Sequence, residues 1–357
     1  MTTGNRKKIR VMIVDDSLVF RTLLRDVLGD DGRIEVVTQA VNGKLALPRI
    51  RHYQPDIVIL DQEMPELNGL ETLELLHKDF PEIGVIMFSS HTVEGARVTI
   101  RALELGALDF VTKPDPAKGD AAAYIRRTLI PLVVELSDIG VAWPAGQKEV
   151  QATGEPAPVT KGIFGACTCC ALGISTGGPA ALHILVPKLS VSIRGPVVIV
   201  QHMPKLFTKQ LADSLDGISK VHVVEGADGM TLEKGTVYIA PGGLQMEVVQ
   251  GRDGAARLRV FDGPAENNCK PAVNVLFRSV AKTYGGKALG VIMTGMGNDG
   301  YEGLQVMKSQ GSLVLGQSEK SCLIFGMPAQ ATREGIVDDS LDIDGLAARI
   351  NYLMGGS

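Results

Sequence analysis

The sequence predicts two α/β domains, each built on a mostly parallel sheet. Its 357 residues are enough for about two domains with separate cores. Val- and Ile-rich runs alternate with helical patterns over residues 9–136, which favours a doubly wound sheet, and a similar alternation resumes at Ile163. We therefore predict a first domain at 8–136, a linker at 137–162 and a second domain at 163–357.

The first domain has five strand-like runs, each followed by a polar or glycine-containing turn. This pattern predicts a five-stranded parallel sheet with helices on both faces. Pro48 lies inside the helix expected at residues 42–51, where it should kink or shorten that helix. The five runs are Ile9–Val14, Ile34–Thr38, Ile57–Leu60, Ile83–Phe88 and Leu108–Thr112.

The second domain has the same alternation and one additional feature. Two runs joined by a turn that contains GRDG predict an antiparallel hairpin added to the sheet. The linker between the domains contains the stretch PAGQKEVQATGEPAPVTKG, which lacks apolar periodicity. The strand-like runs are Cys167–Ile174, Val197–Gln201, Val237–Ala240 and Leu289–Met293, and the hairpin runs are Met246–Gln250 and Arg257–Phe261.

Composition excludes several classes of protein. The net charge of −4, with no basic cluster beyond residues 6–8, gives no reason to expect a nucleic-acid partner. No apolar run reaches the roughly 18–20 residues needed to cross a bilayer, and no signal-peptide pattern opens the chain. We therefore expect a cytoplasmic protein that does not insert into the membrane.

Polar side chains follow three strands of the first domain and should converge at one edge of its sheet. Asp15 and Asp16 follow the first strand, Asp61 ends the third, and Lys113 follows the fifth. Three neighbouring carboxylates repel one another, and a hard cation such as Mg²⁺ relieves that repulsion. The lysine suits a phosphoryl oxygen, and Ser89 adds a hydroxyl at the same edge.

With this set of residues, the first domain resembles the response-regulator receivers, which have a flavodoxin-like fold. The resemblance implies that Asp61 accepts a phosphoryl group and that Asp16, Asp61 and the backbone carbonyl of Glu63 bind Mg²⁺. It also implies that Asp15 assists through water and that a switching aromatic stands at Phe110. Ser89 and Lys113 would sense the phosphoryl group.

A serine in Gly-x-Ser-x-Gly spacing follows the first strand of the second domain. Ser175 lies between Gly173 and Gly177, and a helix is expected from Ala180. Such a strand-turn-helix can expose a nucleophilic hydroxyl, but glycine-rich turns after strands also bind phosphate. A base and an orienting acid would favour the nucleophile.

His202 and Asp299 also follow predicted strands of this domain. Together with Ser175 they can form a nucleophile, a base and an orienting acid. His183 lies on the helix eight residues after the serine, and His222 lies in a strand-like run, so neither is the preferred base. The chain order Ser, His, Asp differs from that of α/β-hydrolases, which indicates another fold.

Three cysteines precede the serine in the stretch CTCCALGISTGGP. Alternation along a strand would point Cys167 and Cys169 to one face and Cys170 to the other. Zinc needs converging ligands, and Cys269 and Cys322 are distant in sequence. We favour small buried strand residues over a metal or redox site, and both alternatives stay open at this point.

The joined domains resemble the CheB family of chemotaxis methylesterases over nearly the whole length outside the linker. Two departures are the cysteines before the serine and Val273-Asn274, where Val-Asp is expected. The motifs that carry the resemblance are GISTGGP, QHMPKLFT, YIAPGG, DGPAENNCKPAVNVLF, TGMGNDG and CLIFGMP.

The resemblance implies a phosphorylation-activated hydrolase that removes methyl groups from glutamate γ-methyl esters of methyl-accepting chemoreceptors. It also implies deamidation of receptor glutamines and a chemotaxis histidine kinase as phosphoryl donor. The N–H of Met296 would hold the oxyanion, Thr176 would support the serine turn, and the esterase reaction would need no cofactor. The unphosphorylated receiver would inhibit the second domain.

Two other functions remain as alternatives. The second domain could be a binding module whose glycine turns hold a phosphate without any chemistry. A DNA-binding response regulator is disfavoured, because the second domain is too long and too rich in strands for a helix-turn-helix and has no basic helix.

Overall fold

The computed structural model describes residues 7–115, 119–138 and 165–356. The described residues form two compact units, one on each side of the gap at 139–164. Most of the predicted linker at 137–162 lies in that gap, outside the described residues. The predicted domain boundaries therefore stay predictions.

The first unit is a five-stranded sheet with the order β2-β1-β3-β4-β5, and every neighbouring pair is parallel. The predicted fold class of this domain is confirmed. Its strands are β1 (Ile9–Val14), β2 (Ile34–Ala40), β3 (Ile57–Asp61), β4 (Gly84–Ser89) and β5 (Asp109–Thr112). Its helices are α1 (Leu18–Gly29), α2 (Gly43–Tyr53), α3 (Gly69–Asp79), α4 (Val93–Glu104) and α5 (Ala121–Asp138).

Helix α2 is not shortened by its proline. Asn42 caps its start by accepting a 2.9 Å hydrogen bond from the N–H of Leu45, and the helix continues past Pro48. Ala46 and Ile50 are fully buried on its inner side. Their burial offsets the hydrogen bond that the proline cannot donate, so tertiary packing overrides the local preference.

The second unit contains a seven-stranded sheet with the order β14-β13-β12-β6-β7-β9-β8, in which all pairs are parallel. The predicted α/β class with an antiparallel hairpin is confirmed. Its strands are β6 (Cys169–Ile174), β7 (Val197–Gln201), β8 (His222–Glu225), β9 (Thr236–Ile239), β10 (Gln245–Gln250), β11 (Ala256–Phe261), β12 (Ala288–Ile292), β13 (Leu313–Gln317) and β14 (Asp339–Leu341).

The hairpin was expected to extend the main sheet, and this expectation is wrong. Strands β10 and β11 form a separate two-stranded sheet, and an isolated bridge joins Arg257 of β11 to Thr231. Met246, Val248 and Leu258 of the hairpin are buried in the same apolar cluster as residues of helix α8. The hairpin therefore covers a helix instead of lengthening the sheet.

Helix α8 (Val273–Tyr284) packs closely against the central strand β6. A Cβ added at Gly173 of β6 would collide with Val273 and approach Phe277, so the glycine permits this close packing. The other helices of the unit are α6 (Gly178–Leu185), α7 (Phe207–Ile218), α9 (Tyr301–Ser309), α10 (Met327–Arg333) and α11 (Ile343–Leu353). None of the helices in the described ranges is long and apolar enough to cross a membrane.

We expect Phe277→Ala to lower the free energy of unfolding of the full chain by about 3–5 kcal/mol, because it opens a cavity at a fully buried position. Urea unfolding followed by circular dichroism measures this change. Ile218→Ala is the control: its side chain is 52% exposed at the end of α7, and its effect should stay within about 0.5 kcal/mol. Equal losses in the two variants would contradict the packing of α8.

Candidate functional site

An acidic cluster lies at the carboxyl edge of the first sheet. Asp15 follows β1, Asp61 ends β3, and both are almost fully buried, whereas Asp16 is exposed. Carboxylate oxygens of these three residues lie within 4.8 Å of one another. The parallel sheet has therefore brought together the three acids that the sequence placed after its strands.

Lys113 bridges two of these acids. Its Nζ lies 3.0 Å from Oδ2 of Asp15 and 2.8 Å from Oδ2 of Asp61. Burial, followed by the charge of Asp15, nevertheless raises the pKa of Asp61 to about 6. One lysine thus compensates only part of the crowded negative charge, and the oxygen-rich cluster fits a hard cation such as Mg²⁺.

The other predicted receiver residues lie around this cluster. Ser89 ends β4, fully buried, with its Oγ 2.6 Å from Oγ1 of Thr99 on α4. Phe110 lies half-buried on β5, and Glu63 lies two residues after Asp61 with an exposed side chain. The roles implied for these residues stay predictions.

Two aromatic residues near Lys113 were missed from the sequence. Its ammonium lies 4.9 Å from the ring centroid of Phe20 and 5.6 Å from that of Phe88, and the two rings meet edge to face. Such rings attract a cation and restrict its position. Phe20 is on α1, and nothing in its local sequence indicates that it approaches β5.

In the second unit, strand register brings Ser175 and His202 to one edge. Ile174 of β6 pairs with Gln201 of β7, and the next residues along the two strands are the serine and the histidine. The N–H of His202 donates to the carbonyl of Ile174 at 3.1 Å. The strand ends are therefore directly adjacent.

Asp299 reaches the same edge from the loop after β12, and the start of α8 holds its carboxylate. Oδ2 accepts from the N–H of Val273 at 2.7 Å, and Oδ1 accepts from the N–H of Asn274 at 3.2 Å. Gly300 and Asn267 donate to Oδ1 as well. Burial alone would raise the pKa of Asp299, but His202 and the N–H groups of Val273 and Asn274 lower it, so the group is a carboxylate.

The histidine contacts Asp299 through one ring nitrogen and a cysteine through the other. Nε2 of His202 lies 2.8 Å from Oδ2 of Asp299, so Nε2 carries a proton and donates it. Nδ1 lies 3.6 Å from Sγ of Cys269. Burial lowers the pKa of His202, but the hydrogen bonds to Asp299 and Cys269 outweigh it and raise the pKa to about 9.

The hydroxyl of Ser175 lies near His202 and Asp299 in the fold but is not hydrogen-bonded to the imidazole. Among the described residues, no hydrogen bond joins Oγ of Ser175 to His202, although the serine is half-buried at the same edge. Hydrogen bonds of catalytic groups often form only in the complex with substrate. The other two histidines of this unit point elsewhere, since His183 contacts Ser214 and His222 contacts Asp216.

Two further predicted residues flank Ser175. Thr176 is almost fully buried, and its carbonyl accepts from Oγ1 of Thr294 at 3.0 Å. Met296 follows Gly295, where an added Cβ would collide with the side chain of Ser175, and its role in holding the oxyanion stays a prediction. Gly177, the N-cap residue before α6, has φ +75°, a conformation that glycine adopts readily.

Gln201 connects the two strand ends and was not singled out from the sequence. Its Nε2 donates to the carbonyl of Ser175 at 3.0 Å and to that of His202 at 3.1 Å. Its Oε1 lies against Gly178, where a Cβ would collide with it. Because the residue is 2% exposed, its amide holds the serine turn and the histidine together in a protected position.

The cysteine-rich stretch before Ser175 is part of the core. Cys167, Cys169 and Cys170 are free thiols and almost fully buried. Burial raises the pKa of Cys167 to about 11 and also raises those of the other two. Among the described residues, none of the three belongs to a group with metal-ligand spacing, so the structure favours small buried strand residues.

Comparison with known proteins decides the family of the chain. The CheB methylesterase family model matches residues 170–350, and the response regulator receiver domain model matches residues 11–123. The chain belongs to the CheB methylesterase family. The predicted family and its enzyme class, the carboxylic ester hydrolases, are confirmed, and membership associates the chain with chemotaxis and two-component signalling.

Members of the CheB family resemble this chain over nearly their full length. A protein-glutamate methylesterase/protein-glutamine glutaminase of Desulfotalea psychrophila is 41% identical, with 96% of this chain and 98% of the relative covered. One of Archaeoglobus fulgidus is also 41% identical, with 92% and 93% covered. The CheB methylesterase catalytic domain of Thermotoga maritima is 35% identical with a TM-score of 0.50, covering 52% of this chain and 97% of that structure.

The departure at Asn274 has a structural role. Its Oδ1 accepts from the N–H groups of Gly300 at 3.1 Å and Gly303 at 2.8 Å. Gly300 has no side chain that could cap α9. Asn274 therefore accepts the hydrogen bonds of the N–H groups at the start of that helix. A neutral amide does this beside Asp299 without a second negative charge.

We expect Asn274→Asp to keep these two hydrogen bonds but to place a carboxylate near His202. The added negative charge favours the imidazolium, so the pKa of His202 rises and less free base is present at a given pH. The rising limb of kcat/KM against pH should therefore shift upward by about one unit.

The pH dependence of methyl-ester hydrolysis measures this shift. Asn298→Asp is the control, since it adds the same charge one residue from Asp299 at an exposed position, where water screens it. An unchanged midpoint in Asn274→Asp, or the same shift in both variants, would contradict the expected interaction.

Proposed function

We propose that this chain hydrolyses γ-glutamyl methyl esters of methyl-accepting chemoreceptors and deamidates receptor glutamines by the same acyl transfer. The observation that carries the proposal is the His202–Asp299 pair at 2.8 Å, on the sheet edge where Ser175 follows β6. The CheB relatives, which are protein-glutamate methylesterases/protein-glutamine glutaminases, supply the substrate class.

In the first half of the reaction, Oγ of Ser175 attacks the ester carbonyl and its proton passes to His202. Because Nε2 donates to Asp299, Nδ1 is the nitrogen of the neutral ring that accepts the serine proton. The N–H of Met296 stabilises the oxyanion, and the tetrahedral adduct collapses to an acyl-enzyme as the imidazolium protonates the departing methoxide. Methanol leaves; with a glutamine substrate, ammonia leaves instead.

In the second half, water attacks the acyl-enzyme and gives its proton to Nδ1. Collapse of this adduct returns the proton to Oγ of Ser175 and releases the glutamate carboxylate. Asp299 keeps the ring oriented and stabilises the imidazolium, while backbone N–H groups hold its carboxylate in place. Rotation of the serine side chain brings its hydroxyl toward the imidazole when substrate is bound.

We expect Ser175→Ala to reduce methanol release from methylated receptor fragments by at least about 10³-fold, because it removes the nucleophile. Gas chromatography of the released methanol measures this rate. Cys322→Ser is the control, because that thiol contacts the carbonyl of Gln317 and makes no contact with His202.

Two outcomes would overturn the serine assignment. Full activity in Ser175→Ala together with loss in Cys269→Ala would make the thiol that contacts His202 the nucleophile. If the wild type bound the receptor fragment without releasing methanol or ammonia, the second unit would act as a binding module.

The receiver is proposed to control this activity. A chemotaxis histidine kinase would transfer a phosphoryl group to Asp61, with Asp16, Asp61 and the carbonyl of Glu63 holding Mg²⁺, which neutralises negative charge. Asp15 would assist through water, Ser89 and Lys113 would contact the phosphoryl oxygens, and Phe110 would change position. The unphosphorylated receiver would inhibit the esterase, and phosphorylation would relieve the inhibition.

We expect a small phosphodonor such as acetyl phosphate to raise methanol release by the full-length wild type by about tenfold or more. Asp61→Asn should show no response, since an amide cannot accept the phosphoryl group. Asp56→Asn is the matched control, because Asp56 contacts Arg10 at the opposite end of the same strand. A similar response in Asp61→Asn would identify another acceptor.

A further inference from the structure

A thiol lies against the imidazole that the proposed reaction uses as its base. Sγ of Cys269 and Nδ1 of His202 are 3.6 Å apart, although 67 positions separate the residues in sequence. This sulfur, a ring nitrogen of His202 and a carboxylate oxygen of Asp299 all lie within 4.8 Å of one another. Sulfur, imidazole nitrogen and carboxylate oxygen are the three protein ligands that zinc uses.

The spacing of the two nearest atoms fits a shared zinc ion. Zinc binds sulfur at about 2.3 Å and imidazole nitrogen at about 2.0–2.1 Å, so a tetrahedral angle places the two ligand atoms about 3.6 Å apart. The observed separation has that value. The site is also reachable, since Cys269 is half-buried and the side chain of His202 is 14% exposed.

We propose that His202 and Cys269 bind a zinc ion through Nδ1 and Sγ, and that this ion reversibly blocks the esterase site. Zinc replaces the thiol proton, which is released to solvent, and takes the lone pair of Nδ1. Water fills the remaining positions. The imidazole then has no nitrogen left to accept a proton from Ser175.

Asp299 supports such a zinc site through the other ring nitrogen of His202. Its carboxylate accepts from Nε2 of His202, and this arrangement orients the ring and makes the opposite nitrogen a better metal ligand. The same hydrogen bond that prepares the base for catalysis therefore prepares it for zinc.

The remaining thiols do not compete for the ion. Cys167, Cys169 and Cys170 are buried in the core around β6, and among the described residues Cys322 belongs to no group with ligand spacing. Among the described residues, the acids of the receiver form the other group with ligand spacing. Those acids offer only oxygen, so excess Mg²⁺ can occupy them during a zinc titration.

The test titrates the full-length protein with Zn²⁺ by calorimetry in excess Mg²⁺, and with Co²⁺ as a spectroscopic probe. We expect one tight site in the wild type and a thiolate-to-cobalt charge-transfer band, which carboxylate ligands cannot produce. Cys269→Ser should abolish the band and weaken Zn²⁺ binding by about tenfold or more, whereas Cys322→Ser should retain both. Absence of the band in the wild type, or undiminished zinc affinity in Cys269→Ser, would overturn the proposal.

A second measurement needs no variant. Zn²⁺ should protect Cys269 of the wild type from alkylation by iodoacetamide, as read by mass spectrometry of its peptide, and a chelator should remove that protection. Equal alkylation with and without Zn²⁺ would contradict the site. Neither readout depends on ester hydrolysis, so failure of the proposed function and failure of the zinc site are distinguishable.

The consequence for activity is tested separately. Zn²⁺ should inhibit methanol release by the wild type reversibly, with recovery on addition of chelator. Each variant is compared with its own metal-free rate, and inhibition of Cys269→Ser should require at least about tenfold more Zn²⁺. Zinc that binds with the cobalt signature but leaves methanol release unchanged would overturn the proposed block of the base.

Discussion

Parallel pairing of strands is the constraint on which both sites depend. When neighbouring strands run in the same direction, the residues that follow them meet at one edge, whatever their distance along the chain. In the first unit this brings Asp15, Asp61 and Lys113 together, and in the second it brings Ser175 beside His202. Parallel pairing thus positions the acidic cluster of the first unit and the serine and histidine of the second.

The second site also depends on a helix end. Asp299 is held by N–H groups at the start of α8, where the helix dipole favours a negative charge. These N–H groups fix the position of the carboxylate, and the carboxylate in turn sets the orientation of the His202 ring. The close packing of α8 on β6, which Gly173 permits, connects the fold of the core to the position of the acid.

Most of the fold could be read from the sequence because buried parallel strands are continuous apolar runs. The strand-like run around His222 is β8, whereas two other strands escaped prediction: β14, which is short and carries polar residues, and β13, which has a glycine and a glutamine near its end. The separate pairing of the hairpin was also not predictable, because local alternation does not specify which surface a hairpin covers.

Residues that end strands were easy to propose for a site, since their position in the pattern implies a common edge. The contacts of Cys269 and Asn274 were harder to predict from the sequence. These residues lie in a loop and at a helix start, so no strand pattern indicates their position. Their contacts with His202 and Gly300 depend on how α8 is seated. A pattern within one segment carries no information about such long-range contacts.

The amide of Gln201 has a mechanical consequence for the serine turn and the histidine. It donates to the carbonyls of both Ser175 and His202 and so links two chain segments by hydrogen bonds. A displacement that reaches one segment is passed to the other. The gap between hydroxyl and imidazole therefore changes by torsion of the side chains, while the backbone beneath them moves as one piece.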